Sequence, residues 1–375
     1  MNVLVLGAGY AGLSLARRLE RRLPDAAALT VVDASPDHLV QHELHRLVRY
    51  PDLEDAVTVP LTGALSRAEV VTARVESVDR EARTVHLDEG RLDYDVLAVC
   101  LGAETAFYGL PGVEAHATPL KRVSDAARIR ADFLTLGADD RVVVGGAGLS
   151  GVQVAGELAA LGEAERVGAE VCLVEREPTV APSFPEPFAA AVRSSLAEAG
   201  VAVEADVRVS EATADEVRFD DRDPLAYDQF VWTGGIRGPD AMAGDRPVVR
   251  ADLRLDDRTF VVGDAARVVD ADGEAVPASA AAAIREARVA ATNVVRTVEH
   301  LRDGGEFAPR LDRYRFDVPG WIVSVGDDAV AQVAGGVVTG AAARAMKATV
   351  GAGHLTSVGA VRQASDLVRE ELGSG

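Results

Sequence analysis

The stretch Val3-Leu4-Val5-Leu6-Gly7-Ala8-Gly9-Tyr10-Ala11-Gly12 decides how this chain folds. It recurs near the middle as Val142-Val143-Val144-Gly145-Gly146-Ala147-Gly148-Leu149-Ser150-Gly151. Each copy is a short apolar run, suited to a buried parallel strand, that ends in Gly-x-Gly-x-x-Gly. The first glycine (Gly7, Gly146) suits a turn whose backbone angles a side chain would resist. The second (Gly9, Gly148) lets a pyrophosphate come close to the backbone, and the third (Gly12, Gly151) lets a helix pack against the strand. Phosphates placed there meet unpaired N–H groups and the positive end of the helix dipole. One such motif is a weak signal. Two, each set between a strand and a helix, predict two dinucleotide sites facing each other.

The context repeats as well. Leu29-Thr30-Val31-Val32 reads as a second strand ending in Asp33, and Val171-Cys172-Leu173-Val174 as its counterpart ending in Glu175. An acid about twenty residues beyond the glycine turn can accept both ribose hydroxyls and repels a 2′-phosphate. A solvated charge closing a strand is the plainer reading of either acid, but the register with the glycines favours the ribose. Arg176, beside Glu175, leaves NADPH open as well as NADH.

At 375 residues the chain exceeds one ordinary core, so two or three domains are expected. No apolar run approaches the roughly 20 residues that cross a bilayer. Met1 leads straight into a strand with no basic stretch, which argues against a signal peptide. The net charge of −20 argues against nucleic acid and against docking on anionic lipid. Lysine occurs only as Lys121 and Lys347, the other basic residues being arginine. Such a surface suits concentrated salt, as in a halophilic archaeon, although genomic base composition explains the arginine equally well. Cys100 and Cys172 lie far apart inside apolar strands and read as small buried hydrophobes.

Along the chain, Val70 to Asp79 and Thr84 to Leu87 alternate with period two, and Tyr94 to Cys100 is a buried strand that stops at Gly102. A helix is expected from Ser124 to Leu136, before the second glycine motif. Tyr227 to Trp232 stops at Gly234 in the same manner. A strand at Thr259 to Val262 then precedes Gly263-Asp264, and an alanine-rich helix runs from about Pro277 to Leu301. The late strand and helix read as a return to the first unit. The expected fold class is α/β: two Rossmann-like dinucleotide-binding domains, the second inserted in the first, plus a C-terminal α+β region. The limits are 1–118 with 246–302, then 119–245, then 303–375, the last with strands near Trp321 and Val333 and helix beyond Ala341.

With Gly263-Asp264 in place, the chain resembles the two-dinucleotide-domain flavoprotein oxidoreductases that include glutathione reductase. Within them it is most similar to the type II NADH dehydrogenases. The resemblance rests on both glycine motifs, His38-Leu39-Val40-Gln41, Leu120-Lys121 with Asp125-Ala126, Gly151-Val152-Gln153-Val154-Ala155-Gly156-Glu157, Val261-Val262-Gly263-Asp264, and Arg288 with Asn293. It implies a tightly held FAD on the first unit. Gly7, Ala8, Gly9, Tyr10, Ala11 and Gly12 would lie at its pyrophosphate, Asp33 and Ala34 at its ribose, and Val75 at its adenine. Gln41, Gly102, Gly263, Asp264 and the helix start at Ala280 and Ala281 would complete the set. It implies NADH on the second unit, at Gly146, Gly148, Leu149, Ser150, Gly151, Glu175 and Gly234. Hydride would pass to the flavin and the electrons on to a quinone. A cytoplasmic protein is implied, with weak peripheral contact to the inner face of the membrane, or a homodimer, left open.

Three departures from the family pattern stand out. In place of its usual glutamate near the flavin stands Gln153, the candidate catalytic residue, whose amide can hold the nicotinamide carboxamide but cannot relay a proton. Its quinone-side glutamines are missing from Ala280-Ala281-Ala282-Ala283-Ile284-Arg285. No Trp, Phe or Tyr occurs from Gly340 to Gly375. These motivate two alternatives: a reductase serving a soluble carrier protein, and a flavoprotein redox sensor without turnover. His42 and His45 stand at an i, i+3 spacing that could hold a metal, but a helix shielding the flavin is the better reading and no metal is expected. Gly148-Leu149-Ser150-Gly151 is no nucleophile elbow, because its glycines belong to the nucleotide turn.

Overall fold

The computed structural model describes residues 1–304 and 307–373. Ten strands build two sheets, the two-residue strand Thr118–Pro119 and nine longer ones: β1 (Asn2–Leu6), β2 (Ala28–Asp33), β3 (Glu69–Thr72), β4 (Val96–Val99), β5 (Arg141–Gly145), β6 (Glu170–Val174), β7 (Ala202–Glu204), β8 (Gln229–Trp232) and β9 (Thr259–Val261). The first sheet has the order β9-β4-β1-β2-β3, all parallel. The second begins with the short strand Thr118–Pro119 and continues β8-β5-β6-β7, again all parallel. In both, the strand entering a glycine motif is central, flanked by the strand that ends at an acid and by the one that stops at a glycine. Val5 lies opposite Val31 and Ala98, and Val143 opposite Cys172 and Phe230. Strands covered on both faces read as unbroken apolar runs, and these are fully buried.

Helices α1 (Tyr10–Glu20), α2 (Val123–Phe133), α3 (Leu149–Glu165) and α4 (Ala280–Asp303) complete the two layers. α2 starts and ends earlier than the sequence reading. Asp125 Oδ2 accepts the N–H groups of Lys121 and Arg122, both at 2.8 Å, which fixes the start. Beyond the fully buried Phe133 the next residue, Leu134, is exposed. The chain leaves the first sheet after Val99 and returns at Thr259. It has crossed to the second sheet by Thr118, one residue before the expected limit. At the crossing, Glu104–Thr105 and Ile236–Arg237 run antiparallel against each other.

The run from Val70 to Asp79 is two strands rather than one. Glu69–Thr72 edges the first sheet, whereas Val75–Asp79 pairs with Thr84–Leu87 in an antiparallel meander closed by Gly90–Asp93. The break sits at Ala73–Arg74. There Ala73 N–H bonds to Asp33 O at 2.9 Å, while Arg74 exchanges bonds with Asp88. Period two alone does not reveal that a strand changes sheets.

The C-terminal region is an antiparallel sheet of β10 (Gly320–Val325), β11 (Asp328–Val333) and β12 (Gly336–Thr339), then α5 (Gly340–Ser357) and α6 (Val361–Gly373). Its β10–β11 turn lies hard against α3: a Cβ on Gly156 would stand 2.5 Å from Gly326 N. Among the described residues no helix is long and apolar enough to cross a membrane.

Candidate functional site

The glycines of each motif separate into two kinds. Gly7 and Gly146 have φ of +89° and +94°, and a Cβ would stand 2.3 Å from Cys100 O and 2.6 Å from Gly234 Cα respectively. A Cβ on Gly12 or Gly151 would come within 1.7 or 1.8 Å of the first glycine's carbonyl oxygen. The protein itself needs these four to be glycine. Around Gly9 and Gly148 nothing lies within 4 Å of a Cβ position. Glycine there keeps clear the space into which a phosphate fits. Gly9 and Gly148 are also the N-caps of α1 and α3, and neither helix start is capped by a side chain, so the first-turn N–H groups are left for an anion.

The two acids behave alike. Asp33 Oδ2 accepts from Ala8 N–H at 2.6 Å and Oδ1 from Ser35 N–H at 2.8 Å. Glu175 Oε2 accepts from Ala147 N–H at 2.6 Å and Oε1 from Glu177 N–H at 3.0 Å. Each carboxylate thus braces its own turn, a task that the ribose reading alone did not include. Burial pushes Asp33 up, and the Ala8 and Ser35 bonds pull it back. Ala34 and Gln41 are exposed, and Val75 opens the first strand of the meander.

Gly263 (φ +73°) brings three elements together, since a Cβ there would stand 3.1 Å from Ala11 Cβ and 3.3 Å from Ala283 Cβ. Its N–H donates to Glu286 Oε2 at 2.7 Å. Burial pushes Asp264 up, opposed by Lys121 and Arg246, and the Arg246 guanidinium is spent on the carbonyls of Asp264 and Ala266. α4 begins at Ala280, where Ser279 Oγ caps it by accepting from Ala282 N–H at 3.2 Å, leaving Ala280 and Ala281 ahead of that bond. Gly102 is open with φ +70°. Gly234 abuts Gly146, while Thr233 Oγ1 donates to the carbonyls of Gly145 and Gly146. Leu149 and Ser150 form the first turn of α3.

The 3-10 helix Gln41–Val48 joins the two turns, an arrangement the sequence reading placed only as a shield. Its first end touches the N-terminal motif: Tyr10 bonds to His42 Nδ1, so this tyrosine is turned onto the 3-10 helix. Further along, His45 Nε2 lies 3.4 Å from Gln153 Nε2 on α3, two residues past the second motif. His42 and His45 therefore serve different partners. Between them Glu43 pairs with Lys347 Nζ at 3.2 Å and Arg46 at 3.4 Å, and Arg46 pairs with Glu370. Burial pushes Glu43 up, but Lys347, His42 and Arg46 outweigh it and hold the carboxylate at about 2.

α5 adds His354, which the sequence did not signal. His38 Nδ1 donates to Ala8 O at 2.8 Å, and His38 Nε2 lies 3.0 Å from His354 Nε2. With Nδ1 of His38 carrying its proton, His354 Nε2 must donate and its Nδ1 is a bare buried acceptor without a hydrogen-bond partner. Burial lowers His38 to about 4 and His354 to about 3, so both rings are neutral at pH 7. Cys100 and Cys172 are buried in different sheets as free thiols, both pushed up by burial, Cys172 to about 11.

Two like sheets, each with a glycine turn open at its second glycine, define a two-dinucleotide oxidoreductase fold. Residues 1–287 match the pyridine nucleotide-disulphide oxidoreductase family, and the chain belongs to it. It is similar to the type II NADH:quinone oxidoreductase of Staphylococcus epidermidis, 28% identical over 333 residues that cover 79% of this chain and 82% of that one. The enzyme of the same name from Staphylococcus aureus is 27% identical over 397 residues, covering 96% of each chain. The fold is similar to that of NDH2 from Plasmodium falciparum in complex with NADH, with a TM-score of 0.80, 13% identity, and 98% of this chain and 97% of that chain covered.

Proposed function

We propose that this protein is an FAD-dependent NADH dehydrogenase that delivers electrons to a quinone. The observation that carries the reading is the clear space at Gly9 and Gly148 above uncapped helix starts. The named relatives supply the acceptor class. FAD, when bound, supplies the hydride acceptor and the route for both electrons to the quinone.

The chain's own residues do the rest. Gly9 and the N–H groups that begin α1 hold the FAD pyrophosphate. Asp33 holds the ribose, and Asp264 takes hydroxyls of the ribityl chain, with Gly102, Gly263, Ala280 and Ala281 close around it. Gly148, Leu149, Ser150 and the start of α3 hold NADH, with Gly234 toward the nicotinamide. Glu175 disfavours a 2′-phosphate, and Arg176 is engaged with Glu177 at 3.2 Å. The FAD unit comprises 1–118 and 246–302, the NADH unit 119–245 and the acceptor-side region 303–375. Electron transfer through a cysteine pair has no support, because Cys100 and Cys172 lie in different sheets.

On this reading the enzyme works in the cytoplasm or on the inner face of the membrane. Exposed Met346 and Val350, one turn apart on α5, offer a small apolar contact there or to a second copy. A soluble carrier protein is the second acceptor to test, favoured by the absence of aromatic residues beyond Gly340. The test is anaerobic. The purified protein shows a flavin spectrum that NADH bleaches, and added menaquinone restores the colour faster than a carrier protein does. Fast restoration by a carrier and slow restoration by quinone would reverse the choice of acceptor.

A further inference from the structure

Two tiers of side chains from the same three elements meet behind the second glycine turn. The inner tier is Gln153 of α3, His45 of the 3-10 helix and Ser324 of β10, with His45 Nε2 2.9 Å from Ser324 Oγ and 3.4 Å from Gln153 Nε2. The outer tier is Glu157, one turn further along α3, Arg49 just past the 3-10 helix, and Asp327 in the β10–β11 turn. Arg49 Nε stands 3.2 Å from Glu157 Oε2, and Arg49 also pairs with Asp327. Glu157 and His45 are each 2% exposed, whereas the side chain of Asp327 is 62% exposed. The outer tier opens to solvent at Asp327, and one turn of α3 separates Glu157 from Gln153 of the inner tier, two positions beyond Gly151.

Hydride transfer makes no use of Glu157. Its Oε2 is buried without a hydrogen-bond partner, because the nearby Arg49 N–H is misaligned and is itself unpartnered. A cavity of about 20 Å³ lined by Arg46, Arg49, Glu157, Asp327, Arg344 and Lys347 adjoins it, room for one water among polar groups. Burial pushes the Glu157 carboxyl up to about 7, against the pull of Arg49, Lys347 and Arg46 and with the push of Asp327. Both of its forms are therefore populated near neutrality. Burial keeps His45 neutral.

The overall reaction of the reading above, on which this inference rests, is NADH + H⁺ + quinone → NAD⁺ + quinol. The hydride carries two electrons and one proton, and the second proton comes from water. We propose that the tier Glu157–Arg49–Asp327 is the inlet for that second proton, in the place where Gln153 cannot carry one. Glu157 releases the proton past His45 toward the quinone oxygen and becomes a carboxylate beside Arg49. It regains a proton from solvent at the Asp327 mouth, and no electron moves in either step.

The test uses the FAD-loaded protein with the isosteric Glu157→Gln and, at the exposed mouth, Asp327→Asn. Stopped-flow absorbance follows bleaching by NADH, then the return of colour with a water-soluble naphthoquinone. In the wild type the rate of return falls as pH rises through about 7. Glu157→Gln slows the return about a hundredfold more than the bleaching and removes that pH limb. Asp327→Asn slows the return by a smaller factor and keeps the limb. Burial also raises Glu286 to about 7. The Glu157 band is therefore read as the wild-type minus Glu157→Gln infrared difference, a protonated-carboxyl band that titrates near neutrality. A return rate in Glu157→Gln that keeps the wild-type value and pH limb overturns the inlet, as does absence of the band. If Glu157→Gln does not hold FAD, a wild-type rate in Asp327→Asn together with a missing band has the same force. If NADH fails to bleach the wild type, or quinone fails to restore it, the NADH:quinone reading falls instead. The band then still decides whether Glu157 holds a proton near neutrality.

Discussion

Gly9 and Gly12 sit three residues apart and answer to different constraints. A side chain at Gly12 collides with the backbone of Gly7, whereas one at Gly9 meets no protein atom. Gly12→Ala should therefore lower stability by about 3 kcal/mol, read from thermal or denaturant unfolding. Gly9→Val should cost the apoprotein no more than about 1 kcal/mol, as a change of N-cap, but abolish the yellow colour. Stoichiometric flavin in purified Gly9→Val would refute the assignment of the N-terminal turn to FAD. Glu175→Ala should raise the KM for NADH about tenfold while the flavin stays bound, and an unchanged KM would remove Glu175 from the nucleotide site. At this scale the glycine turns were legible because each glycine's task involves neighbours within the same strand–turn–helix. His354 was not, because its partner His38 is 316 residues away and no local pattern marks a histidine that bonds another across the molecule.

Among the elements, α5 is unusual in burying Lys347, Gly351 and His354 on one face. Gly351 lets α6 approach closely, since a Cβ there would stand 2.9 Å from Leu367 Cδ2, while Glu43 Oε1 at 3.4 Å would be in ordinary contact. Around His38 and His354 lie Tyr10, His42 and the Ala8 carbonyl, and none of them is an anion that would stabilise an imidazolium. Folded-state values below the ordinary imidazole range mean that folding favours the neutral rings. Their contribution is complete above about pH 6.5 and is lost as pH falls toward about 4 for His38 and about 3 for His354. The protection factors of the α5 amides, taken relative to intrinsic exchange at each pH, should fall across that window in the wild type and respond less in His354→Gln. Flat protection in the wild type from neutrality to pH 4 would contradict the linkage. Element boundaries were legible where periodicity and burial coincide, as in β1 and β5. They failed at Ala73–Arg74, where an uninterrupted alternation hides a change of sheet.

Over the whole molecule, a charge of −20 opposes compaction when it is unscreened. The melting temperature should rise by about 5 °C between roughly 0.05 M and 1 M KCl, as calorimetry can read. A melting temperature that falls with salt would mean that attractive ion pairs outweigh the repulsion. The repeated sheet order was foreshadowed by the repeated glycine–acid spacing. The C-terminal docking was not, because it is written in pairs drawn from opposite ends of the chain. One feature of the crossing reaches beyond catalysis. Glu104–Thr105 and Ile236–Arg237 lie side by side, clasped by Arg237 with Glu104 and by Trp232 Nε1 donating to Ala106 O at 2.9 Å. Adjacent strands stand about 5 Å apart, so the inserted segment begins and ends at nearly one point. Such a segment can be lifted out and closed with a short linker, or replaced by another with the same footprint. The molecule is built as a socket and a cartridge, and if the cartridge holds NADH as proposed, donor specificity becomes a part that can be exchanged.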